Sequence, residues 1–226
     1  TNAAPLSGRG RAHLALGRPH AAIRDFSRSV TADGRFASGY RNRAEAKLEV
    51  EHFDEAIEDL SRAIAFDATN AEMLVLRGNA YLATKNTPSA LKDFSRAIEI
   101  DQNYAAAYEA RGLAHAMIDA REEAFADLNR AIELDPRSAT AFAYRAFVYK
   151  QDSQADVALK DIETALKLDE KRPEVYWARA EIAESQGQPD AAVADLRRAL
   201  GLRPGYRAAL DALQRLEAEA VAAPLT

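Results

Sequence analysis

The 226-residue chain has no cysteine, one tryptophan and only two methionines. Without cysteine there is no disulfide framework, no thiolate zinc site and no thiol nucleophile. No apolar run approaches the roughly 18 to 20 residues that cross a bilayer, so membrane insertion is not expected. Nothing near the start resembles a signal peptide. Thirty basic against 35 acidic side chains leave a net charge of −5. That is the wrong sign for a protein that neutralises duplex phosphates, so nucleic acid is not an expected partner. What is abundant is ordinary for a globular protein: 48% hydrophobic and 29% charged residues.

Length alone suggests one or two compact domains, but self-similarity is the first thing to test. Written in rows of 34 from Ala3, the chain keeps one register to Tyr206, giving rows 3–36, 37–70, 71–104, 105–138, 139–172 and 173–206. The twentieth column is alanine throughout: Ala22, Ala56, Ala90, Ala124, Ala158 and Ala192. The twenty-fourth is large and apolar: Phe26, Leu60, Phe94, Leu128, Ile162 and Leu196. The twenty-seventh is small: Ser29, Ala63, Ala97, Ala131, Ala165 and Ala199. The spacing i, i+4, i+7 puts the three columns on one helical face. A second small column, the eighth (Gly10, Ala44, Gly78, Gly112, Ala146, Ala180), predicts close approach of a partner helix.

Each row therefore reads as two helices of about 13 residues with a tight turn between them. Pro19, Pro88 and Pro189 suit the first turn of a second helix, where the missing N–H costs nothing. Pro136 and Pro204 mark passage between rows, with Asn70 and Ser138 as expected N-caps. Pro5, Gly8 and Gly10 predict that the first helix of row one frays. After Tyr206 a helix of about 207–223 carries Leu210, Leu213 and Leu216 on its inner face, a solvating cap ended by Pro224.

Small residues at columns 8, 20 and 27, large ones at column 4 (Tyr40, Leu74, Tyr108, Phe142, Tyr176), Tyr81 and Tyr149 at column 11, and Pro136 and Pro204 at column 32 resemble the tetratricopeptide repeat. The resemblance covers residues 3–206 and implies an all-α, right-handed superhelical α-solenoid, read here as a single array over residues 1–226. It also implies a concave groove lined by the first helices and used to hold other proteins. The related RNA-reading repeats have a 35-residue period and basic surfaces, unlike the strict 34 and net negative charge here.

Two charged columns hold without exception. Column seven is Arg9, Arg43, Arg77, Arg111, Arg145 and Arg179; column twenty-three is Asp25, Asp59, Asp93, Asp127, Asp161 and Asp195. They read as a structural ladder of ion pairs joining first to second helices, each Asp expected to meet the Arg 18 residues on, in the next row, and so to set the inter-repeat angle. An arginine stripe for an acidic or phosphorylated ligand is the alternative, opposed by aspartates that would fill the guanidinium forks.

By resemblance, positions 2, 5, 9, 12 and 13 face the groove. That implies a partner-binding set of Arg41, Glu45, Leu48, Glu72, Val75, Asn79, Leu82, Glu109, Leu113, Met117, Phe147, Lys150, Trp177, Glu181 and Glu184, with Arg11, Leu14, Glu49 and Glu174 at equivalent places. Its carboxylates outnumber its cations by seven to three. An apolar, acidic groove suits a peptide or helical segment carrying Lys or Arg, with Trp177 and Phe147 as aromatic anchors or as packing against the neighbouring repeat. The two-carboxylate clamp that this family uses on chaperone C-termini is absent: Asn79 fits one of its places, but Val75, Ala110, Thr140 and Tyr144 occupy the other four.

No catalytic or cofactor pattern is present. His13, His20, His52 and His115 do not fall at metal-ligand spacing on one helix face, and phosphate-loop, nucleophile-elbow and zinc-protease motifs are lacking. The expectation is a non-enzymatic adaptor or scaffold needing no cofactor and binding no metal. The alternative is the targeting region of a larger enzyme or secretion component, motivated by a chain that begins without Met, and self-association is a third use. Cytoplasm is the favoured compartment, and zero cysteines also suit a bacterial periplasm.

Overall fold

The computed structural model describes residues 3–222. Among them are thirteen helices and no strand. First helices of the six rows are α1 (Ala3–Ala15), α3 (Ala37–Glu49), α5 (Ala71–Ala83), α7 (Ala105–Met117), α9 (Ala139–Gln151) and α11 (Pro173–Ser185). Second helices are α2 (Pro19–Ala32), α4 (Phe53–Phe66), α6 (Thr87–Ile100), α8 (Arg121–Leu134), α10 (Ala155–Leu168) and α12 (Pro189–Leu202), followed by α13 (Arg207–Ala222). The architecture is all-α, a solenoid of helix pairs. Compact packing divides it into two units, Thr1–Ala110 and Arg111–Thr226, with the boundary inside α7 and the helical period running through it unchanged.

Column chemistry explains the pairing. Phe26, Leu60, Phe94 and Leu128 are fully buried, as are the alanines of column 20. Burying one such large side chain stabilises by about 1.5–3 kcal/mol, so the column supplies a regular anchor for each hairpin. The small eighth column makes room for it. A methyl group added at Gly78 would stand 2.4 Å from the Phe94 ring, and one at Gly10 2.5 Å from Phe26. Where column 24 is Leu60, Ile162 or Leu196, column eight is alanine, while Leu128 packs against Gly112, so a small residue faces a large one in every row.

The turn between paired helices is the same in every row. Its fifteenth position lies in the left-handed region: Gly17, Glu51, Lys85, Asp119, Ser153 and Gly187 have φ of 66°, 60°, 62°, 61°, 57° and 71°. The amide of the next residue reaches five residues back, as in His52 to the Lys47 carbonyl and Asn86 to the Tyr81 carbonyl. This is a Schellman closure, which satisfies the orphan carbonyls of the first helix. Only Gly17 and Gly187 adopt this backbone without a Cβ. Passage between rows uses another local device: Asp33, Asp67, Asp101, Asp135 and Asp169 each accept from the amide two residues on. Asn70 and Ser138 cap their helices as expected, and Asn86 caps α6.

At the ends the structure differs from the sequence reading in detail. Helix α1 is formed over all 13 residues despite Pro5 and its glycines. Pro5 lies in the first turn, where it is tolerated, and Gly10 is buried under Phe26. On α13 the buried positions are Ala209, Ala212 and Leu216, with Leu213 partly buried against the same core and Leu210 outside it. Pro224 lies outside the described residues.

Candidate functional site

The charged columns form six bidentate pairs, one within each row. Arg43 Nε and Nη2 donate to the Asp59 carboxylate at 2.7 and 2.6 Å. The same fork joins Arg9 to Asp25, Arg77 to Asp93, Arg111 to Asp127, Arg145 to Asp161 and Arg179 to Asp195, all at 2.6–2.9 Å. The expected pairing with the next row, 18 residues on, is therefore corrected to 16 residues within one row. Antiparallel geometry is the reason: positions 7 and 23 stand eight residues either side of the turn residue at 15. The third donor of the guanidinium is what crosses between rows. Arg43 Nη1 reaches Ser27 Oγ at 3.3 Å, Arg77 reaches Ser61 at 3.0 Å and Arg145 reaches Asn129 Oδ1 at 2.8 Å.

These hydrogen bonds hold the Arg43, Arg77, Arg145 and Arg179 guanidiniums above their ordinary pKa, and the Arg9 fork holds the Asp25 carboxyl below its own. Column eleven adds to the same site. Lys47 Nζ is 2.8 Å from Asp59, and His13 and His115 place Nε2 at 3.8 and 3.7 Å from Asp25 and Asp127. In rows three and five the column is Tyr81 and Tyr149, over whose rings Arg77 and Arg145 lie at 6.0 and 5.9 Å. The forks are filled, which leaves no bare arginine stripe.

In the N-terminal unit the first-helix face is polar and open. A cavity of about 600 Å³ lies between α1 and α3, lined by Arg11, Leu14, Ala15, Ser38, Arg41, Asn42, Glu45 and Glu49. These are positions 9, 12 and 13 of row one and 2, 5, 6, 9 and 13 of row two. Arg41 Nη2 lies 2.6 Å from Glu72 and 3.0 Å from Glu45. Burial lifts the Glu45 and Glu49 carboxyls above their ordinary range. Further along this unit Val75 is buried, Leu48 and Leu82 are half-buried, Asn79 is exposed and Glu109 is half-buried.

In the C-terminal unit the corresponding face is aromatic and largely self-satisfied. Trp177 is only 7% exposed, which removes it as an open anchor. Its ring centroid lies 4.7 Å from Phe147, 6.3 Å from Tyr144 and 6.4 Å from Tyr206. Lys150 Nζ pairs with Glu181 at 3.1 Å and lies 5.6 Å from the Phe147 ring. Arg215 of α13 holds Glu184 and approaches Glu181 at 3.7 Å, while Arg203 holds Glu174. The acidic surplus counted from sequence is thus smaller in the folded chain, because Arg203, from column 31, and Arg215, from beyond the sixth row, neutralise part of it. Leu113 packs on this core, whereas Met117 is 50% exposed beside Ile118 at 52%.

Arg203, Arg215, Tyr206 and Lys47 were absent from the sequence-derived set. Continuing the 34-residue period past Tyr206 places Arg215 at position 9 of a seventh row, so its place on this face is written in the repeat register. Among the described residues no group of three His, Asp or Glu could hold a metal ion, and no helix is long and apolar enough to cross a membrane.

Comparison with known proteins agrees with this architecture. A tetratricopeptide repeat model matches residues 7–71 and 145–207, more than half of the chain, and a TPR repeat model matches 78–119. No curated protein sequence matches significantly. Among solved structures, a tetratricopeptide repeat protein from Parabacteroides merdae ATCC 43184 superposes with a TM-score of 0.80 at 20% identity, over 95% of this chain and 84% of that one. PilW, a type IV pilus biogenesis factor, gives 0.72 at 17% identity over 93% and 98% of the two chains. YrrB, a TPR protein with an unusual peptide-binding site, gives 0.54 at 18% over 84% and 97%. Thirteen helices in this order, six closures of one type and the matched repeat models lead to one conclusion: the chain belongs to the tetratricopeptide repeat family.

Proposed function

We propose that this protein is a non-catalytic scaffold that holds a peptide or helical segment of a partner protein against the first helices of its repeats. The fold belongs to protein–protein interaction modules, and the reading of this particular face rests on one observation. The cavity between α1 and α3 is lined by side chains from the groove positions that the repeat pattern assigns, together with Asn42 at position 6. It is built from both charge signs and only two apolar residues, Leu14 and Ala15, which favours recognition by complementarity over bulk apolar burial.

The chemistry of the partner differs from that suggested by sequence composition. With Glu72, Glu174, Glu181 and Glu184 already held by arginines, a purely basic segment gains little there. A segment combining apolar and mixed charged residues fits the polar cavity and the exposed Asn79 of the N-terminal unit better.

Panning a displayed peptide library against the full chain tests the reading. Selected peptides are expected to lose binding to Ser38→Arg or Asn79→Arg, both on exposed first-helix side chains of the N-terminal unit, and to keep it with Arg28→Glu on a second helix. Peptides sensitive only to Arg28→Glu, or no selected peptide at all, would overturn it.

A further inference from the structure

The first-helix face of the N-terminal unit contains two charges of opposite sign that the fold leaves unmatched. Arg11 of α1 and Glu49 of α3 line the same cavity, both are exposed, and neither has an ion-pair partner among the described residues. Around them every other charge is committed. Arg41 divides one nitrogen between Glu45 and Glu72, and the Asn42 amide donates to Ser7 Oγ at 3.1 Å.

From this arrangement we infer a two-charge subsite between α1 and α3 that takes a peptide segment presenting one acidic and one basic side chain on the same face. The acidic group meets Arg11 and the basic group meets Glu49, with Glu45 beside it. This deepens the scaffold reading above and rests on it.

Three physical points favour a mixed-charge occupant over a singly charged one. A segment carrying only cations would answer Glu49 but bring like charge against Arg11 and Arg41. One carrying only carboxylates would answer Arg11 and face Glu45, Glu49 and Glu72. Like-charge juxtaposition at an interface is a strong means of rejecting wrong partners. Second, Glu45 and Glu49 stand four residues apart on α3, so their carboxylates share one helical face, and partial desolvation makes each harder to ionise. One ammonium or guanidinium placed between them relieves both. Third, Arg11 acts on Glu45 through space without closing an ion pair with it, so the guanidinium's donors stay available. Neighbouring packed helices lie about 8–10 Å apart, and alternate residues of an extended strand lie about 7 Å apart on one face. A basic and an acidic residue two positions apart in an extended segment therefore lie on one face at a separation close to that of two packed helices.

Calorimetric titration of the full chain with three synthetic peptides provides the test. The peptides share their apolar residues and differ in one pair of positions two apart, which is Lys and Glu, Lys and Lys, or Glu and Glu. The Lys/Glu peptide is expected to bind about five- to tenfold tighter than either of the others, the scale of one exposed ion pair gained and one like-charge contact avoided. Arg11→Gln is expected to abolish its advantage over the Lys/Lys peptide, and Glu49→Gln its advantage over the Glu/Glu peptide, with Arg11→Gln melting like the parent and Glu49→Gln no lower than it. Equal binding of all three peptides, or an advantage that survives both substitutions, overturns the subsite while leaving the scaffold reading to library selection. Failure of all three to bind overturns the subsite too. If selected library peptides also ignore Ser38→Arg and Asn79→Arg, the scaffold reading falls separately.

Discussion

The two units use the same columns for different ends. On the N-terminal face, position 5 is Arg41 in row two and Val75 in row three, and the cavity beside Arg41 keeps Arg11 and Glu49 unmatched. On the C-terminal face, position 5 is Trp177, sealed by Phe147, Tyr144 and Tyr206, while Lys150, Arg203 and Arg215 neutralise the carboxylates around it. Desolvation against this cluster, with Tyr144 and Glu174 nearby, lifts the Tyr206 phenol well above its ordinary range. The repeat sets where a side chain points; its neighbours in adjoining rows decide whether that side chain is surface or core. One unit thus presents chemistry outward, and the other has turned the equivalent positions into packing.

The largest expected effect breaks this contrast at its apolar end. Trp177→Ala removes the centre of the aromatic cluster and is expected to cost about 3–5 kcal/mol in denaturant unfolding. Val75→Ala, at the same repeat position in the other unit, removes far less volume and is expected to cost clearly less. Equal losses would mean that Trp177 does not organise the C-terminal core.

A smaller effect is expected from the ion pairs that close that face. Arg215→Ala releases Glu184 and Glu181 and is expected to cost about 1 kcal/mol or less, since the guanidinium is nearly half exposed. The difference in melting temperature from the parent should shrink in high salt. A loss that is independent of salt would assign Arg215 a packing role through its aliphatic stem.

The smallest concerns the open charge. The Glu49 carboxyl is raised, so the folded state binds its proton more tightly than the unfolded chain does. Its ionised form therefore opposes folding above the folded pKa, and that penalty vanishes as pH falls below the unfolded value. Glu49→Gln is expected to stabilise at pH 7, within about 0.5 kcal/mol, and to be neutral once the carboxyl is protonated. A benefit confined to acid pH would reverse the assignment.

Much of the fold was legible because it rests on local periodicity. Columns 20, 24 and 27 identify the second helix, and their near-complete burial follows from spacing alone. The ladder was legible as two columns, but pairings 16 and 18 residues apart are both compatible with repetition; only the antiparallel closure about position 15 selects the first. That closure was itself half hidden. Glycine signals it at Gly17 and Gly187, whereas Glu51, Lys85, Asp119 and Ser153 take the same left-handed backbone with no residue-type signal. The candidate surface was harder to read, because exposure depends on contacts from other rows. Trp177 sits in a column that also holds Ser7, Arg41 and Glu109, and nothing within its own row marks it as buried.

By itself, then, the order of residues determined the period, the helix pairs, the large-against-small matching of columns 8 and 24, and the family. Those features depend on neighbours a few residues away or on an invariant column. Tertiary structure alone decided which arginine holds which aspartate, that Trp177 is core, that Arg203 and Arg215 neutralise the carboxylates of α11, and that Arg11 and Glu49 remain unmatched in one cavity. These outcomes depend on distances between rows, and a free energy of pairing or burial exists only once the chain has brought those rows together.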